Sequence, residues 1–131
     1  MAKSKEPRRS AAPRLEKCLT GITGFDDITR GGVPRGRPTL VCGAAGCGKS
    51  LFATEFLVRG VTEFDEPGVL MTFEEPSEDI KKNVASLGFD LNALIDQKKL
   101  VIDHVHVERS EIEENGEYDL EGLFIRIGLA L

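Results

Sequence analysis

The amino-acid sequence predicts an α/β fold in three layers, with helices packed around a mainly parallel sheet. Three observations carry that prediction. A short apolar run, Thr39 to Cys42, leads into the loop Gly43-Ala-Ala-Gly-Cys-Gly-Lys-Ser50 and then into a helix-forming stretch. A second run, Gly68 to Phe73, is apolar on both faces, as a central strand of a parallel sheet has to be. Around these runs the hydrophobic spacing changes to that of a helix, the alternation that gives parallel strands joined by crossover helices.

Taken in chain order, residues 3–17 carry Lys3, Lys5, Arg8, Arg9, Arg14 and Lys17 against Glu6 and Glu16, with prolines and serines and no periodicity. Residues 1–17 therefore read as a basic disordered tail, solvated by default. From Cys18 to Gly36 the turn signals Gly21, Gly24, Gly31-Gly32, Pro34 and Gly36 surround a short helix at Phe25 to Thr29. Thr39 to Cys42 reads as a buried strand with Cys42 inside it, and Lys49 to about Thr62 as a helix with Phe52 and Phe56 on one face. The strand Gly68 to Phe73 is stopped by Pro76, after which Ser77 caps a helix, with Glu78 and Asp79 in its first turn. Ile80, Val84 and Leu87 give that helix its buried stripe, and Gly88 ends it.

Asp90 to Gln97 is a further short helix, and Leu100 to Val105 a third strand. Glu108 to Glu117 is an acidic loop, and from Asp119 the residues Leu120, Leu123, Phe124, Ile127 and Leu131 fall at helical spacing. An apolar helix with no glycine cap needs a sheet to lie on and a strand to lead into, so the sheet is expected to be truncated before its later strands.

Composition narrows the function classes. The chain of 131 residues is 40% hydrophobic and 30% charged, enough for one globular unit with a real core. A net charge of −5 and a pI near 5.1 speak against a nucleic-acid backbone as its main ligand. No apolar run approaches a membrane span and no apolar stretch follows the basic N-terminus, so a cytoplasmic protein is expected. Cys18, Cys42 and Cys47 are odd in number and form no Cys-x-x-Cys pair, which fits a reducing compartment.

The loop between strand and helix carries the chemistry. Backbone N–H groups that turn inward around phosphate oxygens require residues with almost no side chain, and Gly43, Ala44, Ala45, Gly46 and Gly48 meet that need. Lys49 can reach the β- and γ-phosphates, Ser50 can place its hydroxyl on Mg²⁺, and the helix that follows offers its positive end to the anion. A glycine-rich turn that binds nothing is the plainer alternative, and the strand before, the helix after and the Lys-Ser pair in register argue against it. Cys47 lies inside the loop at the helix start, where oxidation would block nucleotide entry; the simpler reading is a small residue tolerated in a tight turn.

Glu74 and Glu75 end a parallel strand at the same edge of the sheet as the loop, where a carboxylate can orient or deprotonate an attacking water. The alternative is a charged pair that ends a strand in solvent. Asp103, after the apolar run Leu100 to Ile102, is a minor candidate for a second Mg²⁺ contact, behind a strand expected after residue 131. His104 and His106 share a strand face without a third ligand nearby, and more simply line a strand end.

Three stretches carry a resemblance. Thr20 to Gly36, the loop Gly43 to Ser50, and Phe64-Asp-Glu-Pro-Gly-Val-Leu-Met-Thr-Phe-Glu-Glu75, in this order, resemble the KaiC family within the RecA-like P-loop ATPases, so that residues 18–131 look like the N-terminal part of a first KaiC ATPase domain. The resemblance implies a homo-hexameric ring with ATP between subunits, Mg²⁺ as its ion, slow ATP hydrolysis, partner proteins of the KaiB type, no nucleic acid and no membrane. In a second domain it implies autophosphorylation on Ser and Thr. It also implies catalysis by the residues matching Glu74 and Glu75, nucleotide contacts from Gly46, Cys47, Gly48, Lys49, Ser50 and Leu51, and a further contact at Ser86. The loop departs from the family's Thr- and Ser-rich pattern at Ala44, Ala45 and Cys47, and has Ser50 where Thr is frequent. Two other readings stay open from the residues alone: a RecA-like recombination or repair ATPase, and a scaffold in which nucleotide only holds an assembly together.

Overall fold

Two small sheets and four helices form in the computed structural model, which describes residues 14–106, 124–125 and 127–129. The first sheet is an antiparallel pair of two-residue strands, β1 (Lys17–Cys18) and β2 (Val33–Pro34), which clasp helix α1 (Thr23–Thr29) between them in sequence. The second is the parallel pair β3 (Gly68–Thr72) and β4 (Leu100–His104), in register from Gly68↔Leu100 to Thr72↔His104. Helix α2 (Lys49–Phe64) precedes β3; α3 (Ser77–Ala85) and α4 (Leu91–Asp96) form the crossover that carries the chain from β3 to β4.

Apolar spacing decides which faces meet. Val58 and Val61 of α2, Ile80 and Val84 of α3, Leu91 and Leu94 of α4 and Leu100 of β4 make one buried cluster. Gly68, at the head of β3, lets α2 close in: a Cβ there would lie 3.1 Å from Leu57 Cδ2 and 3.3 Å from Leu100 Cδ1. Asp90 caps α4 by accepting a hydrogen bond from Ala93 N at 3.2 Å. Phe52 of α2 meets Phe25 of α1 edge to face at 5.1 Å between ring centres, so the glycine-rich N-terminal segment is anchored beside the start of α2.

That segment is organised by one carboxylate. Asp26 accepts hydrogen bonds from Thr20 Oγ1 at 2.6 Å, Thr20 N at 3.0 Å and Gly21 N at 2.9 Å, and Thr20 itself is wholly buried. Desolvation pushes the Asp26 carboxyl upward, but the hydrogen bonds from the Thr20 hydroxyl and the Thr20 and Gly21 amides outweigh it, and the pKa is lowered. A lowered folded-state pKa contributes stability that is present above the ordinary carboxylate range and lost as pH falls through it, here below about pH 4. Asp26→Asn is therefore expected to lower the melting temperature by a few degrees at pH 7 and to narrow its gap from the parent as the pH approaches 3, read by circular dichroism. A constant gap from pH 7 to 3 would contradict this role.

Several boundaries differ from the sequence reading. Residues 39–42 do not form a strand: among the described residues no backbone pairs with this run. A strand exists only through a neighbour's hydrogen bonds, so Leu40 is 86% exposed and Cys42 lies exposed rather than buried. The described parallel sheet thus has two strands rather than three. Pro76, not Ser77, occupies the N-cap of α3, because proline's fixed backbone suits the turn that leaves β3. Lys17, read as the end of the tail, pairs with Pro34, and Arg35 N donates to Glu16 O at 2.9 Å. Residues 124–125 and 127–129 are helical, but Phe124, expected to lie on a sheet, is 65% exposed.

Candidate functional site

The loop from Gly43 to Ser50 turns through two left-handed glycines, Gly46 with φ of 78° and Gly48 with φ of 93°, which a side-chain-bearing residue adopts only under strain. Cys47 N donates to Ala44 O at 3.3 Å across the turn. Lys49 then folds back over the loop. Its Nζ donates to Gly43 O at 2.7 Å and Ala44 O at 3.0 Å, with Cys47 Sγ at 3.8 Å as a third, weaker partner. Two N–H groups therefore tie the loop's entrance to its exit, and the third rests on a poor acceptor that a phosphate oxygen readily replaces.

Helix α2 starts directly beyond. Its N-cap is Gly48, which has no side chain with which to cap it, so the first backbone N–H groups of a 16-residue helix face the loop without a side-chain partner. Such a terminus favours an anion through its N–H groups and its dipole together. The Ser50 hydroxyl makes no hydrogen bond to any described residue, while its carbonyl accepts from Thr54 Oγ1 at 2.7 Å.

The two glutamates arrive from β3. After Thr72 the chain turns sharply: Thr72 Oγ1 donates to Glu75 O at 2.8 Å, and Val105 N donates to Thr72 O at 2.7 Å, so the turn is fixed to both neighbouring strands. Pro76 then launches α3. Glu74 is exposed and Glu75 half-buried. Both line a cavity of about 560 Å³ together with Lys49 and Ser50, which brings ammonium, hydroxyl and carboxylates onto one space.

Of the other residues singled out from the sequence, Ala45, Gly46, Gly48, Leu51 and Ser86 also line this cavity. Gly43, Ala44 and Cys47 do not; Gly43 and Ala44 act on it through the carbonyls that hold Lys49. Ser86 commits its hydroxyl proton to Asn83 O at 2.8 Å. Asn83 is a lining residue that the sequence reading passed over; the signal was an amide at i+3 from Ile80, inside an otherwise apolar stripe. Asp103 sits half-buried on β4, outside the lining. His104 and His106 stand 6.3 Å apart between ring centres, and among the described residues no three His, Cys, Asp or Glu side chains gather as a metal site.

Magnesium fits this donor set. It takes hard oxygen ligands and few of them from protein, and the cavity offers a serine hydroxyl beside two carboxylates. Among the described residues no helix is long and apolar enough to cross a membrane.

A family model described as "ATPase: KaiC" matches residues 18–131. The chain is 63% identical over 117 residues to the circadian clock protein KaiC2 of Synechocystis sp., covering 89% of this chain and 21% of that protein. It is 49% identical over 117 residues to the circadian clock oscillator protein KaiC of Synechococcus elongatus, covering 89% and 22%. Against the protein of the same description from Thermosynechococcus vestitus it is 46% identical over 125 residues, covering 95% and 24%. The chain thus spans about a fifth to a quarter of the length of these relatives.

Proposed function

Because the chain belongs to the KaiC family of ATPases, we propose that it forms the nucleotide-binding part of a KaiC-like ATPase of a circadian-clock or related signalling system. In this reading residues 18–131 are the N-terminal part of an ATPase domain. The single observation that supports it best is the meeting of Lys49, Ser50, Glu74 and Glu75 on one cavity beside an uncapped helix start.

The roles follow from the chemistry of each group. The loop amides around Gly46 and Gly48 and the start of α2 hold the triphosphate, Lys49 neutralises its β- and γ-oxygens, and Leu51 and Ser86 extend the contact along the cavity. Ser50 would hold Mg²⁺, which when bound neutralises charge on the β- and γ-phosphates. Glu75, half-buried and with its backbone carbonyl held by Thr72, orients the attacking water and accepts its proton, and Glu74 assists from the exposed side. We place the full protein in the cytoplasm as a homo-hexamer that works with KaiB-type partners, with autophosphorylation belonging to its other domain; slow hydrolysis then serves as a timing step.

Calorimetric titration of the full chain with ATP and Mg²⁺ tests the core of this proposal, with particle size followed alongside. Heat of binding with ATP-dependent assembly is the expected outcome. A chain that takes up no nucleotide with magnesium present would reject it.

A further inference from the structure

The amide of Asn83 stands where α3 should present an apolar residue. Ile80 and Val84 are buried at 4% and 2% exposure, whereas Leu87, expected to complete the buried stripe, lies beyond the helix end at Ala85 and is exposed, because the helix stops before it can turn that side chain inward. Position 83, three residues beyond Ile80, falls within that stripe and lines the same cavity as Lys49 and Glu75. Its side chain is exposed and makes no hydrogen bond to any described residue. Its neighbour Ser86 is different, since the serine hydroxyl already donates to Asn83 O. Asn83 therefore carries the free side-chain donor and acceptor at this end of the cavity.

Distance sets what that amide can meet. The phosphate end is fixed by Lys49, Ser50 and the glutamates, and α3 begins at Ser77, directly after them. At a helical rise of about 1.5 Å per residue, Asn83 lies roughly 9 Å along α3 from Ser77, and Leu87 follows just beyond the helix end at Ala85. A nucleotide whose phosphates meet Lys49 and Ser50 and whose remainder lies along α3 would bring its sugar and base toward Asn83. Leu87, 54% exposed on the cavity rim, offers an apolar surface for a flat ring.

We infer that Asn83 is a specificity-determining residue that selects adenine over 6-oxopurine bases, an assignment that rests on the nucleotide-binding reading above. A carboxamide presents one donor and one acceptor side by side, which matches the amino donor and the N7 acceptor on the N6/N7 edge of adenine. On the corresponding edge of hypoxanthine or guanine both groups are acceptors, and the amide can satisfy one of them alone.

The test is the affinity of the full chain for ATP and for inosine triphosphate, each with Mg²⁺, in the parent and in Asn83→Ala. The parent is expected to favour ATP by about tenfold, in line with a bidentate amide–adenine pair. Asn83→Ala should weaken ATP, which loses two hydrogen bonds, more than inosine triphosphate, which loses one, so that the ratio falls toward one. Asn83→Asp, which keeps an acceptor for the amino group, should keep part of the preference. Equal losses for both nucleotides in Asn83→Ala, or a ratio that does not move, would overturn the assignment to the base while leaving nucleotide binding intact. A parent that binds neither nucleotide rejects the nucleotide reading itself and this inference with it.

Discussion

Lys49→Ala is expected to abolish measurable ATP binding. The ammonium holds the loop through Gly43 O and Ala44 O and lines the cavity proposed to take the phosphates. A hydrogen bond to a charged group contributes about 1.5–3 kcal/mol, so losing the one phosphate contact left to the ammonium weakens affinity by about ten- to a hundredfold, and the loosening of the loop that Gly43 O and Ala44 O no longer hold adds to it. The fold should survive, since Lys49 touches loop atoms alone and not the cluster built on Val84, Leu91 and Leu100. Titration calorimetry with ATP and Mg²⁺ reads the loss, and an unchanged far-ultraviolet spectrum shows that the loss is local. A Lys49→Ala chain that binds ATP as the parent does would remove the loop from the mechanism.

Glu74→Gln combined with Glu75→Gln should separate binding from turnover. The amides keep the size and hydrogen bonding of the turn, whose own fixation runs through Thr72 and backbone carbonyls, while removing the proton acceptors. General-base contributions are about 10²–10⁴-fold, and phosphate release by the full protein should fall by that order with ATP affinity retained. Single variants rank the pair. Glu75, half-buried and on a backbone held by Thr72, should account for most of the loss, and exposed Glu74 for little. Undiminished hydrolysis in the double variant would show that neither carboxylate takes part.

What the sequence revealed follows how locally each feature is determined. The turn geometry of the loop was legible because tight positive-φ turns and close carbonyl contacts restrict which residues can stand at Gly46, Gly48 and Lys49, while Gly43, Ala44 and Cys47 fall outside the cavity lining. The Ile80–Val84 face of α3 and the apolar run at 68–72 were legible because their patterns are written in nearby residues, whereas Leu87, expected in the same stripe, lies past the helix end at Ala85 and is exposed. The run 39–42 was misread for the opposite reason. Its apolar residues announce a strand, but pairing depends on a distant segment, and among the described residues none lies beside it.

The Asp26 network lay between these extremes. Its donors sit five and six residues upstream, close in sequence, yet aspartate at a helix start reads first as a favourable charge and only in three dimensions as the organiser of Thr20 and Gly21. Asn83 shows how a site hides within a regular pattern: one amide among apolar neighbours looks like noise until the wall it faces is known.

Gly43 and Cys47 face each other across the turn. A Cβ on residue 43 would overlap Cys47 Sγ, so the sulfur would have to swing to another rotamer to make room. Anyone redesigning the segment should therefore treat bulk added at 43 and the side chain at 47 as one decision.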